Sequence, residues 1–294
     1  MPLIIPLKLM FVNNTVKLTL SIVFSVVIIS LFSSCKVNTN TYVDYSVGVD
    51  LTSDYASVQH LNISLANTYF KAIYDTALLN NGEANIDGAI IKYMPDSLYQ
   101  LKIIYPYWGA EDGYGNRRSG EIHIQANDGF FSVEQNVVFN FRDFNFTKDT
   151  IKASLFKVIY SGSNEQNDVF QIITEDESRS MEDSTGVIVF NSVQDFTIKL
   201  NESNPTIVDE FLVSGKLNGI SRSGSDFQSL VVTELLSDLE CNWMKNGIVD
   251  LTFDEVSYAG QVFYSDSSVC ENWYNLIIDS FDFPSKIQKP KDWN

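Results

Sequence analysis

The feature that most constrains the fold is a long succession of short apolar segments that follows Gly82. Each is rich in β-branched and aromatic residues, and clusters of turn-forming residues separate them, which is typical of β-strands. The segments are GAIIKY, LYQLKIIY, GEIHIQ, EQNVVFNF, IKASLFKVIY, DVFQIITE, GVIVFN, FTIKL, FLVSGKLN, FQSLVVTELL, GIVDLTFDEV, GQVFYS and WYNLIID. No helical pattern of useful length separates them, which argues against βαβ crossovers and predicts an antiparallel sheet.

A single amphipathic helix is expected ahead of these strands. Its apolar side chains recur at steps of three or four, at Val58, Leu61, Leu65, Tyr69, Ile73 and Ala77. Ser53 or Ser57 can cap its start and Asn80-Asn81-Gly82 can end it, which predicts a helix over about residues 56–80. His60 lies within this helix, where a lone histidine is more often a surface residue than a ligand.

Three local patterns predict turns and irregularities in the strands. Lys245-Asn246-Gly247 contains the Asn-Gly pair of a two-residue hairpin, and Thr147-Lys148-Asp149-Thr150 is a second expected hairpin tip. In FNFRDFNF, the first two Phe residues have odd numbers and the last two have even numbers, so a regular strand would place the two pairs on opposite faces. A strand cannot place all four on one face, so we expect a bulge near Arg142-Asp143.

These patterns predict one β-rich domain over residues 53–294. An apolar content of 45%, with 20 Phe and 14 Tyr, is sufficient for its core. We expect an antiparallel meander that forms a curved sheet or open barrel, with the N-terminal helix packed on it. A β-sandwich is the alternative.

The N-terminal segment has the features of an export signal. It contains two lysines and no acidic residue, and its apolar run from Leu18 to Phe32 has the length of a signal-peptide core. The run ends in LFSSC, which resembles a bacterial lipobox, although Phe32 stands where Leu is usual. We therefore expect residues 1–34 to be a lipoprotein signal peptide and Cys35 to carry the lipid. An uncleaved anchor helix is the alternative.

The charge of the chain argues against several partners. Removing residues 1–34 leaves 18 basic and 37 acidic residues, a net charge of −19. Such a polyanion repels nucleic-acid phosphates and anionic lipid headgroups, so nucleic acid is not an expected partner. Membrane attachment then depends on the acyl chains.

Several segments resemble a lipoprotein family that is frequent in Bacteroidota. They are GNRRSGEIHI, LECNWMKNGIVDLTF and SVCENWYNLII, which resemble a Gly-Arg-x-Arg-x-Gly, Cys-x-Trp and Cys pattern between about Gly115 and Asp279, with Asn116 where the pattern has its first Arg. Relatives tend to carry another cysteine before the arginine motif, and this chain has none there. The resemblance implies class and location only, because no biochemical activity is assigned to the family.

The residues after Cys35 bear on location. Residues 35–52 are polar, lack apolar periodicity and are expected to form a flexible tether. Surface-exported lipoproteins of Bacteroidota often carry acidic residues directly after the cysteine, whereas here the first acidic residue is Asp44. This favours the periplasmic face of the outer membrane over the cell surface.

Cys241 and Cys270 are the only other cysteines, and they are expected to form a disulfide. Export would place them in an oxidising compartment, and a lone pair of cysteines has no obvious metal or catalytic use. A three-strand meander would bring their strand ends together. Two separate buried thiols are the alternative.

The sequence offers little catalytic chemistry. With two histidines, His60 and His123, it cannot supply a His-rich zinc site, and it contains no phosphate-binding or dinucleotide motif. GISRS has Ser223 where a nucleophile elbow requires glycine, and it lies between expected strands. No catalytic residue, metal or cofactor is predicted, although a glycosidase-type carboxylate pair acting across space is not visible in a sequence.

Two clusters carry weaker expectations. TEDESRSMEDSTG contains five acidic residues and is expected to be a solvated loop, since its spacing is not that of a calcium loop. Tyr105, Tyr107, Trp108 and Tyr114 form an aromatic cluster that could stack on sugar rings, with strand-end core packing as the alternative.

Two residues are candidates for O-glycosylation. Secreted Bacteroidota proteins are often modified at Asp-Ser/Thr followed by a small or apolar residue. Thr150 and Ser184 fit this pattern and lie in expected turns.

The expected function is that of a non-enzymatic, lipid-anchored envelope lipoprotein with a binding or scaffold role and an unidentified protein or glycan partner. The first alternative is a carbohydrate-binding or carbohydrate-processing lipoprotein, which an exposed aromatic row would favour. The second is a carrier of an apolar ligand, which a deep apolar cavity would favour.

Overall fold

The computed structural model describes residues 43–112, 115–164, 167–264 and 270–287, apart from the side chains of residues 205 and 206. Residues Tyr45–Asn294 form one compact unit. The helices are α1 (Ser46–Tyr74) and α2 (Thr76–Asn81). The strands are β1 (Glu83–Ile86), β2 (Ala89–Tyr93), β3 (Leu101–Glu111), β4 (Arg117–Ala126), β5 (Asn136–Phe146), β6 (Asp149–Lys152), β7 (Leu155–Asn164), β8 (Asn167–Ser180), β9 (Val187–Asn201), β10 (Asn204–Ile220), β11 (Asp226–Asp238), β12 (Cys241–Phe253), β13 (Ala259–Tyr264), β14 (Trp273–Ile278) and β15 (Phe281–Lys286).

All fifteen strands belong to one antiparallel sheet, as expected from the strand pattern. The strands follow chain order from β1 to β15, and β1 and β15 lie at opposite ends of the order. The one departure involves β7, which pairs with β5 and β8, while β6 also pairs with both. The sheet is a meander and does not close into a barrel, and the sandwich alternative is wrong.

The long helix α1 lies against the buried face of this sheet. Of its 29 residues 21 are buried, including every residue from Val58 to Phe70. The aromatic ring of Phe70 contacts Phe170, Phe196 and Phe211 from three successive strands. Because α1 is buried around its whole circumference over these residues, it occupies the space that the curved sheet encloses.

The predicted start of the helix was wrong, while the predicted end at Asn80-Asn81-Gly82 is confirmed for a second short helix, which Gly82 caps in the left-handed conformation. Helix α1 begins at Ser46, ten residues before the expected start, so residues 46–52 are helical and do not belong to a tether. Its N-cap residue is Tyr45, which makes no side-chain capping bond, and the predicted caps Ser53 and Ser57 lie inside the helix. The helix ends at Tyr74, and Asp75 caps a separate short helix through bonds to the Ala77 and Leu78 amides.

The strand predictions are confirmed in position, with differences in how segments join. Every predicted segment lies within or overlaps a strand, while β1 and β15 were missed. GVIVFN and FTIKL are parts of one strand, β9, whereas IKASLFKVIY is divided between β6 and β7. Strand β8 extends through Ser180, so part of the expected acidic loop is strand.

One predicted turn is confirmed and the other is wrong. Thr147 and Lys148 have positive φ angles of 55° and 77° and connect β5 to β6 as a two-residue turn. Asn246 and Gly247 instead lie within β12, where Gly247 pairs with Tyr264 of β13. The actual turn between β11 and β12 is at residues 239–240.

The bulge expected in β5 is confirmed, and a glycine on the neighbouring strand permits it. Asp143 has a φ of 48°, and the register with β4 shifts between Ser119 and Glu121. Phe139, Phe144 and Phe146 are all buried despite their differing parity. Gly120 lies opposite the bulge at a φ of 91°, and a Cβ atom there would lie 2.1 Å from the Asp143 carbonyl oxygen. Only glycine allows the two strands to approach so closely.

Cys241 and Cys270 form the expected disulfide. Cys241 is the first residue of β12, and Cys270 lies just before β14. The bond therefore links β12 to the segment that leads into β14, and β13 lies between these two strands. Residues 1–34 and Cys35 lie outside the described residues, and their predicted roles remain predictions.

Candidate functional site

Polar side chains of the buried helix are held by partners on the sheet. His60 is 4% exposed, its Nδ1 lies 3.0 Å from the Asn242 carbonyl oxygen, and its Nε2 lies 3.0 Å from Asn116 Oδ1. Its ring stacks on Trp243. The expectation that His60 is a surface residue was therefore wrong, because the sheet covers the helix on every side.

A buried ion pair lies beside His60. Arg118 Nη2 donates to Asp112 Oδ2 at 2.8 Å, and both side chains are almost fully buried. The guanidinium also donates to Ser64 and Thr68 of α1 and to the Tyr105 hydroxyl. A buried pair of this kind needs such additional hydrogen bonds to offset its desolvation. The cluster fastens α1 to β3 and β4, and we assign it a structural role.

Glu177 is a buried acid without a partner. It is 0% exposed, and neither carboxyl oxygen has a hydrogen-bond partner among the described residues. Burial raises the pKa of this carboxyl to about 8. The acidic segment was expected to be a solvated loop, which is wrong for Glu177 because a bulge in β8 between Thr174 and Glu177 turns its side chain inward. Glu182 and Asp183 are exposed, as expected.

The predicted aromatic cluster is divided between core and surface. Tyr105 is 3% exposed and belongs to the Arg118 cluster, so it is not a surface ligand contact. Tyr107 and Trp108 are 87% and 64% exposed, and their rings are 5.0 Å apart at 79°. Arg117 donates to the Trp108 carbonyl oxygen and thereby fixes the backbone of the pair. Tyr114 lies outside the described residues.

A pocket lies between β5 and the two strands that follow it, β6 and β7, where the ladder between them is interrupted. Val138 pairs with Lys157 at one end and Asn145 with Thr150 at the other. The described residues between these pairs, 139–144 and 151–156, form no ladder pairs across the gap. The chain turns aside there because β6 and β7 pair with β8. The resulting cavity has a volume of about 640 Å³, and we call it the hairpin pocket.

The hairpin pocket has an apolar floor and a polar rim. Its floor includes Phe139, half-buried Phe141 and Ile151. Phe139 stacks on Phe156 with ring centroids 4.7 Å apart, which holds the floor in place. The polar residues of the lining are Asn140, Arg142, Asp143, Thr150, Lys152 and Ser154.

The pocket was not predicted from the sequence. Its residues belong to strands that were recognised, and Arg142-Asp143 was expected to be irregular. The pocket depends on β6 leaving β5 to pair with β8, and no local pattern indicates that choice of partner.

The two O-glycosylation candidates differ in accessibility. Ser184 is exposed in a turn with a φ of 60°. Thr150 was expected in an exposed turn, but it lies within β6, is half-buried, and donates its Oγ1 hydrogen to Asn145 Oδ1 at 3.0 Å. Ser184 is therefore the better candidate of the two.

No group of three or more His, Cys, Asp or Glu side chains within the described residues is arranged to hold a metal ion. No described helix combines the length and apolar character needed to span a membrane.

Comparison with known proteins returned no match among family models, curated proteins or solved structures.

Proposed function

We propose that this chain is a non-enzymatic lipoprotein, anchored at the periplasmic face of the outer membrane through Cys35, whose folded domain binds a partner on its outer surface. The lipobox-like LFSSC and the resemblance to the Bacteroidota lipoprotein family support the anchor and the location. Nucleic acid is not the expected partner, because the chain without residues 1–34 has a net charge of −19.

The observation that carries the binding role is the position of α1. The helix fills the space enclosed by the sheet, so a ligand must bind at the outer surface. A carrier of an apolar ligand would need an interior cavity where α1 lies. The outer surface offers the hairpin pocket and the exposed pair Tyr107 and Trp108.

Carbohydrate binding is the second candidate, and the aromatic pair favours it. Large apolar side chains that are exposed next to each other can mark a contact with a partner. Sugar rings present apolar C–H faces that pack on aromatic rings, and Tyr and Trp add polar groups at their edges. Tyr107 and Trp108 meet these requirements without the buried Tyr105.

The experiment that tests the proposal is cross-linking in intact envelopes, followed by purification of the full chain. We expect one defined protein or glycan to be recovered with the wild type and to be lost when Tyr107 and Trp108 are both replaced by Ala. Phe281→Ala serves as the control, because Phe281 is also a 57% exposed aromatic residue but lies on β15. Equal recovery from the wild type and the Tyr107/Trp108 double variant would refute carbohydrate binding by this pair. Recovery of no partner from the wild type would refute the binding role.

A further inference from the structure

We propose that the hairpin pocket binds a short saccharide that carries a carboxylate. This inference rests on the binding role proposed above and specifies its ligand. The pocket volume of about 640 Å³ lies within the range of small-molecule sites.

The floor of the pocket suits the C–H face of a sugar ring. Phe141 is half-buried and lines the cavity, and its ring is supported by Phe144, stacked at 5.6 Å, and by Phe156 at 5.8 Å. A supported ring presents a fixed apolar surface, so little side-chain entropy is lost when a ligand packs on it.

The walls of the pocket suit hydroxyl groups. The two arms of the open hairpin face each other over residues 139–144 and 151–156 without ladder pairs in this described stretch. Backbone amides and carbonyls that point into the gap therefore have no ladder partner across it, and Ser154 adds a hydroxyl group. A sugar hydroxyl both donates and accepts, so it can satisfy either kind of group.

The closed ends of the pocket argue against an extended peptide. Pairing of Val138 with Lys157 and of Asn145 with Thr150 closes the gap at both ends. A strand added along β5 would have to pass through one of these pairs. A compact ligand of a few sugar units enters from the open side without breaking them.

The charge of the rim favours an anion. Arg142 and Lys152 line the pocket and Asp143 is the one acidic residue of its lining, in a chain that has 37 acidic and 20 basic residues. Arg142 is held over the Tyr99 ring at 5.8 Å. Lys152 is exposed and has no ion-pair partner within the described part of the chain. Its ammonium is available to form a charge-assisted hydrogen bond to a carboxylate.

Saturation-transfer difference NMR on the full chain in detergent tests the inference, with D-glucuronic acid and D-glucose as probes. We expect saturation transfer to both sugars and tighter binding of glucuronate. Lys152→Gln should weaken glucuronate binding about tenfold and leave glucose binding unchanged. Lys157→Gln is the matched control, because Lys157 lies on β7 outside the pocket lining and its loss should change neither sugar.

Phe141→Leu should weaken both sugars, because it removes the aromatic surface. Thermal unfolding of each variant establishes that it is folded before its binding is compared. Absence of transfer to either sugar in the wild type would overturn the inference, as would unchanged glucuronate binding in Lys152→Gln. Competition by an extended acidic peptide that binds more tightly than the sugars would also overturn it. These measurements involve neither membrane fractionation nor partner recovery, so the inference can fail while the proposed function stands.

Discussion

The imidazole of His60 lies stacked on the indole of Trp243, with ring centroids 3.9 Å apart and planes 15° apart. His60 belongs to the buried helix and Trp243 to β12, so this contact joins the centre of α1 to the sheet. Burial lowers the pKa of His60 to about 4, against the opposing effects of Asn116 and Asp112. The stability that His60 contributes to the packing of α1 therefore depends on pH.

His60→Ala should lower the free energy of unfolding at pH 7 by about 3 kcal/mol, because it removes a stacked ring and a buried hydrogen bond. Protonation is more costly in the folded than in the unfolded chain, so stability should be lost as pH falls from about 6.5 to about 4. Urea unfolding of wild type and variant at pH 5 and pH 7 measures both effects. A stability difference between the wild type and His60→Ala that is as large at pH 5 as at pH 7 would contradict the lowered pKa.

Glu177→Gln should stabilise the protein at pH 8 and have little effect at pH 4. The unfolded carboxyl ionises near 4.5, while the folded carboxyl remains neutral up to about 8. Stability contributed by the neutral form is therefore lost as pH rises through this interval. The expected gain at pH 8 is on the order of 3 to 5 kcal/mol.

The control for this prediction is Glu175→Gln, two residues away on an exposed position of β8. It should leave the free energy of unfolding unchanged at both pH values. An equal effect of the two substitutions would show that Glu177 is not a buried neutral acid.

Gly120→Ala should destabilise the protein by more than about 3 kcal/mol, because it adds a Cβ atom 2.1 Å from the Asp143 carbonyl oxygen at a positive φ. Gly224→Ala is the matched control. Gly224 has nearly the same φ, 90°, but nothing lies within 4 Å of its added Cβ, so only the backbone strain of about 1 kcal/mol should remain. Similar losses for the two variants in denaturant unfolding would mean that the bulge can relax.

Reduction of the Cys241–Cys270 disulfide should lower the free energy of unfolding by roughly 3.5 kcal/mol, because the bond closes a loop with a sequence separation of 29. Thiol labelling of the unfolded, unreduced chain should detect neither cysteine, and labelling after reduction should detect both. Two reactive thiols before reduction would exclude the bond.

Strand positions and the irregularity of β5 could be predicted because they depend on local patterns. The alternation of apolar residues identifies a strand face, and the changed parity of the four Phe residues between 139 and 146 requires a bulge wherever the strand is placed. The sheet class follows because no crossover helices separate the strands.

Other features depend on tertiary contacts that no local pattern shows. The true extent of α1 was hidden because its buried residues include the polar side chains of Asp54, His60 and Asn62. Their partners, Arg222, Asn242 and Ser192, lie far along the chain. Asn246-Gly247 resembles a hairpin turn, but Gly247 adopts a φ of 125° in an irregular part of β12, where a Cβ atom would lie 2.8 Å from the Glu234 carbonyl oxygen. Asn and Gly can form either a turn or a bulge, and only the pairing of β12 with its neighbouring strands decides between the two.

The central claim, that this is an anchored envelope lipoprotein, is tested most directly by membrane fractionation of Cys35→Ala. The account predicts that the wild type fractionates with the outer membrane and has an acylated Cys35 as its first residue. It predicts that the variant is released from the membrane or accumulates with residues 1–34 uncleaved. A Cys35→Ala protein that fractionates with the outer membrane as the wild type does would contradict the account.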